Sequence, residues 1–112
     1  MYKTLINSTD IYNVSDIRER LLPVFMANGV KSAILFGSYA RGEAQSDSDV
    51  DVLVDSELRG LDFVGFIGDV KNALQKEVDL IDVYSVEKGS RIEQEIRKTG
   101  IKIYDEFMLR IG

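Results

Sequence analysis

The sequence predicts an α/β fold, a sheet of about four strands with helices packed against it. Three observations carry that prediction. Apolar residues recur at helical spacing in three separate stretches. Between these stretches lie apolar or β-branched runs of four to seven residues, the length of strands and too short for helices. The two kinds of segment alternate along the chain, as they do when helices connect the strands of a sheet. With 112 residues and no repeat, linker or low-complexity segment, the chain reads as a single domain over residues 1–112.

The elements follow in order. Ile17, Leu21, Val24 and Phe25 fall at i, i+4, i+7 and i+8, one face of a helix that Asn13 or Ser15 can cap and Asn28-Gly29 should end. Pro23 cannot donate to the carbonyl of Glu19, so a bend or a late helix start is expected there. Ala33–Phe36, closed by Gly37, has the length of a buried strand. After a glycine-punctuated stretch, Val50–Val54 forms the second strand. From Leu61 to Gln75, Phe63, Phe66, Ile67, Val70 and Leu74 keep helical spacing, although Gly65 and Gly68 weaken the intrinsic propensity. Val78–Tyr84 is β-branched and apolar and reads as a third strand. Ser90 and Glu93 form a capping-box pattern opening a helix to about Lys98, which should bury Ile92 and Ile96. Thr99-Gly100 stops it, and Ile101–Tyr104 gives the last strand. In the tail from Asp105, the apolar Phe107, Met108, Leu109 and Ile111 suit either a subunit interface, in a homo- or hetero-oligomer, or the domain's own core.

Composition then narrows the chemistry. Hydrophobic residues make up 45% and charged residues 29%, values of a folded globular chain. The chain has neither cysteine nor histidine. That excludes disulfides, thiolate nucleophiles, imidazole bases and Cys- or His-ligated metals. Catalysis must run on carboxylates, hydroxyls, lysine, arginine, backbone dipoles or an oxygen-ligated metal. The net charge of −5 repels a phosphate backbone, so no stable nucleic-acid binding is expected. No apolar run approaches the roughly 20 residues that span a bilayer. The N-terminal MYKTLINSTDIYN has no apolar signal core. The expected compartment is the cytoplasm, without membrane attachment.

The chemistry concentrates between residues 37 and 54, GSYARGEAQSDSDVDVLV. Gly37-Ser38 follows a buried strand, where glycine admits close backbone approach and the turn's amides, with the Ser38 hydroxyl, suit phosphate oxygens. Asp49 and Asp51 are two apart on a predicted strand, so both project from one face with Cα atoms about 7 Å apart. With no Cys or His at hand, paired carboxylates suit a hard, oxygen-preferring cation such as Mg2+, or alternatively Mn2+. Asp79 and Asp82 lie inside an otherwise apolar strand, where aspartate is disfavoured. They have opposite parity, so one of them can join Asp49 and Asp51; parity alone does not choose. Arg41 can clamp phosphate oxygens or offset the acids Glu43, Asp47, Asp49 and Asp51. Together these groups describe phosphoryl or nucleotidyl transfer assisted by divalent metals, without the P-loop pattern.

The stretch resembles the signature of the DNA polymerase β-type nucleotidyltransferase superfamily, G-S-x-x-R-G-x5-S-D-x-D-x-x-V. Gly37, Ser38, Arg41, Gly42, Ser48, Asp49, Asp51 and Val54 fill it without a gap. In length and in the strands at Val78–Ile81 and Ile101–Tyr104, the chain is similar to the minimal nucleotidyltransferase (MNT) group, with a core over about residues 15–104. The resemblance implies the nucleotidyltransferase fold, with a small mixed sheet. It implies nucleotide binding by Gly37, Ser38, Arg41 and Ser48. Asp49, Asp51 and Asp79 become the catalytic carboxylates and metal ligands, for two Mg2+ ions. Asp79 is thereby preferred over Asp82. The implied reaction moves a nucleoside monophosphate, AMP from ATP in the first instance, onto a hydroxyl. The implied acceptor is a tyrosine of a HEPN-family toxin, for which the MNT protein is the antitoxin. Two other readings stand beside it: an antitoxin or scaffold acting by complex formation alone, and transfer to a small molecule.

Overall fold

The computed structural model describes residues 10–107. Helix α1 spans Val14–Ala27 and is capped by Asn13, whose side chain accepts the Asp16 N–H at 2.7 Å. The Asp16 carboxylate returns the bond to the Asn13 N–H at 3.1 Å, so two of the orphan donors at the helix start are satisfied reciprocally. The helix starts one turn ahead of the Ile17 face and runs through Pro23, which stands on the exposed side; a late start is not found. Strand β1 (Ser32–Phe36), a one-turn helix α2 (Ser38–Arg41) and strand β2 (Val50–Asp55) follow. Then come α3 (Leu61–Leu74), β3 (Val78–Asp82), α4 (Arg91–Thr99) and β4 (Ile101–Asp105).

The sheet order is β3-β2-β1-β4. β1 runs antiparallel to β2 and to β4, while β2 and β3 are parallel, joined by α3. Among the described residues the sheet is mixed and has four strands, as expected. Its pleat divides β2 cleanly: Val50, Val52 and Val54 are buried, whereas Asp51, Leu53 and Asp55 are half-buried on the opposite face. The valine face packs with Ile17, Leu21 and Phe25 of α1 and Phe66, Val70 and Leu74 of α3. Phe25 sits centrally, its ring 6.2 Å from Phe66 and 5.3 Å from Tyr104. Each such fully buried side chain contributes about 1.5–3 kcal/mol. The two helices therefore fix the sheet from one side and leave the aspartate face to other elements.

Three expectations are corrected. The third strand ends at Asp82 instead of Tyr84, because the Asp82 carboxylate accepts the Tyr84 N–H at 3.0 Å and turns the chain into a single 3-10 turn over Val83–Ser85. Helix α4 buries none of its residues; Ile92 is 39% exposed and Ile96 only half-buried. It packs against β1 and reaches α2 through Glu95 and Arg41. Ser90 caps it, accepting the Glu93 N–H at 3.2 Å, but Glu93 reaches back to the Gly89 N–H at 2.7 Å, one residue outside the box. Phe107 is 61% exposed, and Met108, Leu109 and Ile111 lie outside the described residues. Among the described residues, no helix is long and apolar enough to cross a membrane.

Candidate active site

Gly37 ends β1 and is buried, with φ 77° and ψ −152°, a conformation only glycine adopts readily. A Cβ at this position would overlap the Asp51 carboxylate. Glycine is thus required twice, for the turn and for the approach of Asp51. Ser38 opens α2 and is half-buried; Arg41 closes it. Between α2 and β2, the Ser48 hydroxyl accepts the Gln45 N–H at 2.8 Å, and the Ser48 N–H donates to the Gln45 carbonyl at 3.0 Å. Ser48 therefore closes the loop that delivers Asp49, which stands exposed one residue ahead of β2.

Strand register decides which carboxylates meet. Asp51 is flanked in the sheet by Phe36 of β1 and by Asp79 of β3. Neighbouring strands lie about 4.8 Å apart, and residues in register share a face. Asp79 therefore stands beside Asp51. Asp82 pairs with Val54, has the opposite parity, and is engaged at the far end of β3 by the Tyr84 N–H and, at 3.7 Å, by Arg59. It is not part of this cluster.

Burial pushes the Asp51 carboxyl up, and the Asp79, Asp49 and Glu95 carboxylates add to the rise, which Arg41 only partly offsets; the result is about 6. The donor set is carboxylate oxygen throughout, the chemistry a hard divalent cation prefers. A cation here would also relieve the repulsion felt at Asp51. Among the described residues, however, no three carboxylates are gathered closely enough to hold a metal ion as the side chains stand. Asp51 and Asp79 stand side by side, but the expected three-carboxylate cage is not found among the described residues.

Two expected phosphate contacts are already engaged. The Gly37 N–H donates to the Thr99 hydroxyl at 3.0 Å. Arg41 bonds Glu43 through Nε at 2.9 Å and Glu95 through Nη1. These two carboxylates push the guanidinium further up, against the opposing effect of desolvation. Glu43 was among the acids expected to pair with Arg41. Glu95 and Thr99, both on α4, were not expected at the site. Their signal was present only as a shared helix face, four residues apart, and nothing local tied that face to Gly37.

Comparison with known proteins gives concordant matches. The family model described as Polymerase beta, Nucleotidyltransferase matches residues 19–107. The MJ0435 protein of Methanocaldococcus jannaschii, whose name is that of a protein adenylyltransferase, is 38% identical over 76 residues, 66% of this chain and 82% of that one. A crystal structure described as a toxin-antitoxin with AMP-PNP superposes with a TM-score of 0.67 at 23% identity, covering 79% of this chain and 73% of the other. Another, described as a tri-AMPylated Shewanella oneidensis HEPN toxin in complex with an MNT antitoxin, gives a TM-score of 0.62 at 20% identity, covering 82% and 72%. At these identities the structural likeness establishes the fold.

Proposed function

The chain belongs to the polymerase β nucleotidyltransferase family, and we propose that it is a metal-dependent protein adenylyltransferase that moves AMP from ATP onto a tyrosine hydroxyl of a HEPN-type toxin, acting as its antitoxin. The observation that carries this reading is the register of Asp51 against Asp79, next to the Gly37-Ser38 turn. Three carboxylates with no histidine or cysteine among them leave little other than divalent-metal chemistry for such a cleft. The relative from Methanocaldococcus jannaschii and the two toxin-antitoxin structures support the protein acceptor and the HEPN partner.

In this reading Asp49, Asp51 and Asp79 hold Mg2+, two ions by analogy with the family. Bound magnesium would neutralise the carboxylates and draw charge from the triphosphate. The Gly37-Ser38 turn and Arg41 receive the phosphates, and Ser48 keeps Asp49 in place. Asp79 takes the proton of the acceptor hydroxyl as its oxygen attacks the α-phosphorus. The bond to the β-phosphate oxygen breaks and pyrophosphate leaves, with AMP retained on the acceptor. The compartment is the cytoplasm, where ATP and a cytoplasmic toxin are available.

The test is the intact mass of the protein encoded by the adjacent gene, co-expressed with wild type or with Asp49→Asn. We expect one or more AMP additions with wild type and none with the variant. A partner that stays unmodified with wild type, yet co-purifies with both, would replace catalysis by neutralisation through binding.

A further inference from the structure

A single turn of α4 holds both ends of the Gly37–Arg41 segment. The Thr99 hydroxyl accepts the buried Gly37 N–H at 3.0 Å and donates to the Glu95 carbonyl at 2.9 Å. The hydroxyl is held on both its acceptor and its donor side, with the Glu95 carboxylate a second acceptor at 3.5 Å. One turn earlier, on the same helix face, the Glu95 carboxylate holds Arg41 at the end of α2. Gly37 has no side chain to limit rotation of its peptide, and its φ of 77° lies outside the range that packing normally enforces. The amide hydrogen bond supplies the missing constraint.

We propose that Thr99 is a positioning residue for the triphosphate: through the Gly37 amide it sets the orientation in which the Gly37-Ser38 turn meets the phosphates. The inference rests on the nucleotidyl-transfer reading of that turn. Without the hydroxyl, the Gly37 N–H loses its acceptor, and a buried donor without a partner is relieved by moving the peptide. At a site that recognises phosphate through backbone and hydroxyl donors, moving those donors lengthens and misaligns their hydrogen bonds and weakens binding.

The experiment is calorimetric titration of ATP with excess Mg2+ into wild type, Thr99→Ser and Thr99→Val, well below their melting temperatures. Serine keeps the acceptor, so its Kd should stay within twofold of wild type. Valine keeps the shape and loses the acceptor, so its Kd should rise about fivefold or more with the stoichiometry unchanged. A merely structural role gives the opposite pattern, a reduced binding-competent fraction at an unaltered Kd. Thr99→Ala repeats the comparison if the valine variant does not fold. A Kd within twofold of wild type in the variants lacking the hydroxyl overturns the inference and leaves the nucleotide site standing. Wild type that binds no ATP overturns the nucleotidyl-transfer reading and this inference with it.

Discussion

Replacing Asp51 with Asn should stabilise the metal-free protein while removing the carboxylate most deeply set in the site. The folded protein holds the Asp51 carboxyl at about 6, against an ordinary 3.8, because it is desolvated and crowded by Asp79, Asp49 and Glu95. Below pH 3.8 the group is protonated whether folded or unfolded, so wild type and variant should differ little. As pH rises through 3.8 the unfolded chain releases its proton while the folded protein keeps it, and unfolding becomes progressively more favourable. Above about 6 the folded protein ionises too, and the whole penalty is in place. Each pH unit of that displacement corresponds to about 1.4 kcal/mol, a ceiling of roughly 3 kcal/mol. Asp51 is only half-buried, and solvent screening reduces the expectation to about 1–2 kcal/mol. In a domain of this size that is a melting temperature higher by about 4 °C or more. The assay is urea or thermal denaturation of both proteins in chelator, at pH 4 and pH 7.5. The variant's advantage should be small at the first and full at the second. An advantage equal at both pH values, or a variant less stable than wild type at pH 7.5, would refute the electrostatic account of the site.

The same structure makes three further predictions. Gly37→Ala combines a backbone conformation that costs about 1–3 kcal/mol for any L-residue with overlap on the Asp51 carboxylate; chemical denaturation should show a loss of at least that size. Tyr39 is 3% exposed and its hydroxyl has no hydrogen-bond partner among the described residues, and burial pushes its pKa up; Tyr39→Phe should be neutral or stabilising by about 1 kcal/mol, and a clear drop in melting temperature would reveal a partner for the hydroxyl. Saturating Mg2+ should raise the melting temperature of wild type, by about 2.7 kcal/mol of stability at a hundredfold excess over Kd, and should raise that of Asp51→Asn much less.

What the sequence could show of this molecule depends on the distance over which each contact acts. The Gly37-Ser38 turn, Asp49 and Asp51 lie within one stretch of 18 residues, where chain geometry alone orders them, so their proximity was legible. The choice between Asp79 and Asp82 was not, because parity inside β3 says nothing about which residue of β2 it faces. Only the parallel register, Asp51 to Asp79 and Val54 to Asp82, separates them. Thr99 is 62 residues from Gly37, and Glu95 is 54 from Arg41. Read locally, Thr99-Gly100 is only a helix stop. That Thr99 holds an amide of the site follows from α4 folding back over β1.

The residues most poorly explained by folding alone are the ones that gather at this cleft. Asp51 is ionised at a cost, Gly37 holds a conformation closed to other residues, and Asp79 is an aspartate within a strand, where that residue type is disfavoured. Were the sheet optimised for stability, the half-buried carboxylate at Asp51 would be replaced by a neutral side chain. A fold keeps such local conflicts where a ligand is to resolve them. Here the conflict has one sign: too many carboxylates around one arginine that is itself already paired. A triphosphate alone would add to that negative charge, whereas a divalent cation removes it from both partners. On the nucleotidyl-transfer reading proposed above, metal and nucleotide would therefore enter this site together.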